Sequence, residues 1–165
     1  MKKIYLIITI LLYSCLSKND TSLSLNNLFQ DNMVMQHESV VPVWGLSKSN
    51  KEVKILSSWD EEITTISDSN GYWKVNINTP KADNISHKII ISSDNEKIII
   101  NDVLLGEVWL ASGQSNMEWR IRQTLNDDEI QKLDKNQKIR MITVDRNLSL
   151  KPLKTFTGNW LSCDC

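Results

Sequence analysis

From Leu25 to Asp102 the chain alternates short apolar-rich runs with turn residues, and in the run YWKVNIN large apolar residues recur every second position. The runs are VVPVWG (40–45), KEVKILSSW (51–59), EEITTIS (61–67), YWKVNIN (72–78), HKIIISS (87–93) and EKIIIND (96–102). A period of two puts alternate side chains on opposite faces of a strand. In YWKVNIN it places Trp73, Val75 and Ile77 on one face and Tyr72, Lys74 and Asn76 on the other. Asp68-Ser69-Asn70-Gly71 contains Asn-Gly, whose residues tolerate positive φ, and so predicts a hairpin. Asp94-Asn95 predicts another turn. Short strands at this spacing predict a small all-β sandwich over residues 25–102.

The pattern then changes. VLLGEVWLAS (103–112) is almost continuously apolar, as expected of a strand buried on both faces in a parallel sheet. Asn126-Asp127-Asp128-Glu129 sets a capping residue three positions before a glutamate, predicting a helix with Ile130 and Leu133 on one face. KIRMITV (138–144) reads as the next strand. Strand, helix, strand is the opening of an α/β domain over residues 103–165. Two such strands cannot bury their own faces, so the α/β domain is expected to be incomplete in this sequence.

At the other end, Met1-Lys2-Lys3 is basic and IYLIITILLY (4–13) apolar, which predicts an export signal over residues 1–15. As a helix this run rises roughly 20 Å, short of the ~30 Å hydrocarbon core. Leu12-Tyr13-Ser14-Cys15 resembles a bacterial lipobox, which implies lipidation of Cys15 and membrane attachment through a lipid anchor at the periplasmic or cell surface. The alternative is an unlipidated cysteine in an ordinary signal peptide. LSKNDTSLS (16–24) reads as a tether.

A net charge of −1 gives no electrostatic footprint for nucleic acid. Cys163 and Cys165 are too close for an unstrained disulfide, and no second Cys or His cluster completes a metal site around them. Neither a metal nor a cofactor is expected.

The chemistry concentrates in ASGQSNMEW (111–119). A serine hydroxyl becomes a useful nucleophile only with a base to take its proton and donors for the oxyanion it creates. Ser115 would stand where a strand gives way to a helix, at the open carboxyl edge of the sheet. Gly113 would permit the turn. Gly113-Gln114-Ser115-Asn116-Met117 is not the G-x-S-x-G elbow, because Met117 replaces the second glycine.

LLGEVWLASGQSNMEW (104–119) resembles the nucleophile block of the sialate O-acetylesterase family, within the SGNH (GDSL-like) hydrolases. LNNLFQDNMVMQHESVVPVWG (25–45) and DSNGYWKVNI (68–77) resemble that family's N-terminal sandwich. The segment from RQTLNDDEI to IRMITVDRN and the element GNWLSC (158–163) are similar to the family's sequence beyond its serine. The resemblance implies a flavodoxin-like SGNH α/β hydrolase domain behind the sandwich. It also implies a serine acyl-enzyme mechanism that removes O-acetyl groups from sialic acid or a related sugar. Ser115 would be the nucleophile, and its own N–H one oxyanion donor. Gln114 and Asn116 would hold the turn through side-chain hydrogen bonds, while Glu118 and Trp119 would belong to the first helical turn and its packing.

The family's base is a histidine in a later D-x-x-H motif, and its other oxyanion donors also come from later blocks. No recognisable counterpart of these comes after Ser115. His37 and His87 both precede it and read as surface or turn residues. The sequence is therefore expected to be a truncated form with little hydrolysis of its own. Alternatives are acetylxylan or other carbohydrate esterase activity, or a non-catalytic surface module that binds glycan or packs against a partner. Trp44, Trp59, Trp73 and Trp109 could stack on sugar, but Trp73 and Trp109 lie in strand patterns and read as core.

Overall fold

The computed structural model describes residues 21–119, 123 and 138–162. The export signal, Cys15, the expected helix near 126–133, Cys163 and Cys165 lie outside the described residues. The strands are β1 (Ser24–Leu25), β2 (Val34–Gln36), β3 (Ser39–Leu46), β4 (Glu52–Ser57), β5 (Glu62–Ile66), β6 (Tyr72–Thr79), β7 (His87–Ser93), β8 (Glu96–Gly106), β9 (Arg140–Ile142) and β10 (Trp160–Ser162). One sheet has the order β1-β3-β6 and is antiparallel. The other, β2-β8-β7-β4-β5, is mixed, since β2 runs parallel to β8 while its remaining pairs are antiparallel. Among the described residues the protein is mostly β, and the element at Ser115–Glu118 is a single 3-10 turn.

The period of two decides what is buried. In β6, Trp73 and Ile77 are buried while Tyr72, Lys74 and Asn76 are exposed. Val43, Val53, Ile55, Ile89 and Ile91 take the equivalent inward positions in β3, β4 and β7, and all join one apolar cluster with Phe29, Met33 and Met35. Full burial of such a side chain is worth roughly 1.5–3 kcal/mol. The turn at Asp94-Asn95 links β7 to β8, with Ser93 opposite Glu96.

The Asn-Gly turn behaves differently from the hairpin that its residues predict. β5 pairs with β4 and β6 with β3, so Asp68–Gly71 carries the chain from one sheet to the other. Asp68 Oδ1 accepts the N–H groups of Asn70 and Tyr72 at 2.8 and 2.9 Å. Gly71 has φ +83°, and a Cβ built on it would lie 2.2 Å from the Ser47 carbonyl oxygen. Gly71→Ala is expected to cost more than about 1 kcal/mol, because neither the backbone conformation nor the space suits a side chain. A urea midpoint unchanged within error would contradict this.

Residues 103–112 do not form one strand. Val103–Gly106 complete β8, which runs through the point where the apolar pattern changes. A bulge marks that point: His87 faces Val103 whereas Ile89 faces Ile100, and Asp102 takes φ 52°. An extra residue in one strand bends it, and beyond the bulge Leu104, Leu105 and Gly106 lie opposite Val34, Met35 and Gln36. The chain then leaves the sheet, with Trp109 86% and Leu110 94% exposed. Trp109 is thus not core, because no strand among the described residues flanks it.

KIRMITV also differs from expectation. Only Arg140–Ile142 are strand, and they pair antiparallel with Trp160–Ser162 rather than parallel across a helix. Contacts from both strands hold this pair to the rest of the fold. Arg140 Nη2 lies 2.7 Å from Asp102 Oδ2, and buried Trp160 donates Nε1–H to the Leu28 carbonyl at 2.9 Å.

Candidate active site

The route from β8 to the serine is clamped by residues at and just beyond the end of β2. Gln36 accepts the Val108 N–H on Oε1 at 2.9 Å and donates Nε2–H to Glu107 at 3.1 Å. His37 Nε2 lies 3.1 Å from the other Glu107 oxygen. The Gln36 hydrogen bond, and after it His37, holds the Glu107 carboxyl below the ordinary glutamate range. A depressed folded value contributes stability above the unfolded value, and that contribution is lost as pH falls through the folded one. Glu107→Gln should therefore melt below wild type at pH 7, with the gap closing below about pH 4. An equal gap at both pH values would show that the charge is not what the clamp uses.

Ser115 is exposed and opens the 3-10 turn. Gln114 precedes it in extended conformation, φ −99° and ψ −170°, and its side chain makes no cap hydrogen bond. The turn is closed by the main chain: Gln114 O accepts the Met117 N–H at 2.9 Å and Asn116 O the Trp119 N–H at 3.3 Å. Main-chain carbonyls thus close the turn among the described residues. Gly113 is needed differently. It is not in the left-handed region, but a Cβ there would lie 2.7 Å from Met117 Cγ, so the glycine makes room for that side chain.

Glu118 does more than begin a helix. Its Oε1 accepts from Arg146 Nε at 2.9 Å and also from Nη2, and this pairing raises the Arg146 pKa. Arg146 does not stand out in the sequence, since no spacing rule links it to a residue 28 positions earlier. The pair joins the serine turn to a depression of about 710 Å³ lined by Asn26, Trp44, Asp145, Arg146 and Phe156 among others. Ser115 itself is not in that lining. The Asn26 and Asn27 side chains donate to the carbonyls of Lys154 and Phe156 at 2.9 and 2.5 Å, holding the far wall.

Neither histidine bonds to Ser115. His37 is engaged with Glu107, and its Nδ1 lies 3.2 Å from Glu38. His87 is not a surface or turn residue: it opens β7, is 7% exposed, and bonds to Ser58 and Asp83. The register of β7 decides this, because the inward phase that buries Ile89 and Ile91 extends back to His87. Among the described residues no group of three or more His, Cys, Asp or Glu side chains converges as metal ligands would.

No family model matches the chain. It is 26% identical over 140 residues to the sialate O-acetylesterase of Rattus norvegicus, covering 79% of this chain and 26% of that protein. The Mus musculus sialate O-acetylesterase is 27% identical over 135 residues, 76% of this chain and 25% of its own length. A solved carbohydrate acetylesterase from Xanthomonas citri superposes with a TM-score of 0.79 at 29% identity, over 86% of this chain and 32% of that one. In fold and sequence together, the chain is similar to carbohydrate acetylesterases. Within that class its sequence likeness is to the sialate O-acetylesterase family. It spans about a quarter of the length of the curated relatives it matches.

Proposed function

We propose that this chain is the nucleophile-bearing part of a carbohydrate O-acetylesterase that acts on acetylated sialic acid or a related sugar. The observation behind this is the GQSNM turn, which exposes Ser115 beyond β8 in a chain that matches sialate O-acetylesterases over 140 residues. Ser115 Oγ attacks the acetyl carbonyl, and the Ser115 N–H receives the oxyanion. Expulsion of the sugar hydroxyl leaves an acetyl-enzyme that water hydrolyses. The proton passes to a histidine from polypeptide outside these 165 residues, since His37 and His87 are committed elsewhere. The β-rich part would be the family's sandwich, and the serine turn would open its SGNH α/β domain. Export through residues 1–15, with a lipid on Cys15, belongs to the same proposal. The X. citri neighbour is named only for carbohydrate acetyl esters, which favours as a second reading another acetylated sugar as substrate.

A serine-reactive fluorophosphonate tests the nucleophile. Label on the Ser115 peptide, followed by peptide mass spectrometry, should accelerate with added imidazole as the base and be lost from that peptide in Ser115→Ala. A Ser115 peptide that stays unmodified at every imidazole concentration would end the proposal.

A further inference from the structure

Away from the serine turn, the end of β4 and the start of β7 bring a second serine against a histidine. Ser58 Oγ lies 3.0 Å from His87 Nδ1, and His87 Nε2 lies 3.1 Å from both carboxylate oxygens of Asp83. An ionised carboxylate only accepts, so Nε2 carries the imidazole proton and Nδ1 is left to accept from the Ser58 hydroxyl. That tautomer is assigned from the network. Asp83 is kept ionised by the Ile85 N–H first and by His87 after it, and its carboxyl lies below the ordinary range. Ser58 Oγ also accepts the Lys88 N–H at 3.1 Å, which leaves the hydroxyl's own hydrogen for the imidazole.

The ring has little freedom. His87 is 7% exposed, and Trp59 meets it edge-on with centroids 5.3 Å apart at 89°. Trp59 is fixed in turn by its Nε1–H to the Asn78 carbonyl at 3.0 Å. Ser58, by contrast, is exposed. A carboxylate that orients a held imidazole, with that imidazole accepting from an accessible hydroxyl, is the connectivity by which a serine is activated. The two ring nitrogens are exchanged relative to the usual hydrolase order, but the relay needs only one to accept and the other to donate.

We propose that Ser58 is a second acyl-accepting serine, activated by His87 and Asp83 and independent of Ser115. Standing on open surface, it takes small activated esters such as aryl acetates. The Ser58 Oγ–C bond forms as the aryl ester C–O bond breaks. The serine proton moves to His87 Nδ1 and then to the departing phenol. Water, deprotonated by the same nitrogen, releases acetate and restores the hydroxyl. With a fluorophosphonate, the Oγ–P bond forms, the P–F bond breaks, and the proton leaves with fluoride.

The full chain carrying Ser115→Ala, treated with a fluorophosphonate, tests this. Label should map to Ser58 and need no imidazole, so this proposal and the Ser115 reading can fail separately. On the Ser115→Ala background, His87→Gln and Asp83→Asn should each slow labelling by about 10²-fold, the scale of lost general-base assistance. Asp83 lies at the surface, so Asp83→Asn decides the matter if His87→Gln melts out. Absence of label on Ser58, or an unchanged rate in a folded Asp83→Asn variant, would overturn the proposal.

Discussion

Truncating Trp73 to alanine is expected to lower the stability of the fold by about 3–5 kcal/mol, the range for removing a buried aromatic. Trp73 is 1% exposed, and the cluster around it draws on both large sheets. Its place is set by β6, whose alternation points Trp73 and Ile77 inward, and by the register that puts it opposite Gly45 of β3. The Trp73 Nε1 group has no hydrogen-bond partner, so the loss would come from packing and the cavity left behind. Against a typical total of about 5–15 kcal/mol, such a change leaves a small margin. Urea unfolding measures it directly. A shift under about 1 kcal/mol would mean that the sheets repack around the gap, which close-packed interiors seldom allow.

The larger effect on chemistry belongs to Ser115→Ala. Once the chain is joined to polypeptide that supplies the base, this change should reduce acetate release from an O-acetylated sugar by roughly 10⁴–10⁶-fold, as in triad hydrolases that lose their nucleophile. It should leave the melting temperature almost unmoved, because Ser115 is exposed and the turn around it is closed by main-chain carbonyls. Loss of activity with an intact melt therefore separates chemistry from folding. Release that persists in Ser115→Ala but disappears when Ser58→Ala is added would move the activity to Ser58.

Much of the β-rich part was legible because strand formation is a local matter. The run YWKVNIN names its own buried face, and the Asp94-Asn95 turn sits between two such runs. The short strands β1 and β2 were not legible, since two or three residues cannot display a period. The run VLLGEVWLAS misled for a related reason. A continuous apolar stretch states that burial is sought on both faces, not that neighbours are present to provide it. At the candidate site, Ser115 and Gly113 stood out by motif, whereas Arg146 and the Ser58–His87–Asp83 network did not. Arg146 and Ser58 are separated from their partners by 28 and 29 residues in the chain, so no window on the sequence joins them.

Taken alone, the sequence determined where the longer strands of the β-rich part run, which faces turn inward, and that a serine turn of a recognisable kind comes after the last of them. Propensity and alternation act over a few residues and need no knowledge of the rest. Only the tertiary structure decided that the Asn-Gly turn crosses between sheets and that a bulge at Asp102 sends β8 alongside β2. It alone sealed Trp160 into the main core and gave His87 a serine on one nitrogen and a carboxylate on the other. Each of these rests on hydrogen bonds or contacts between residues brought together by the fold.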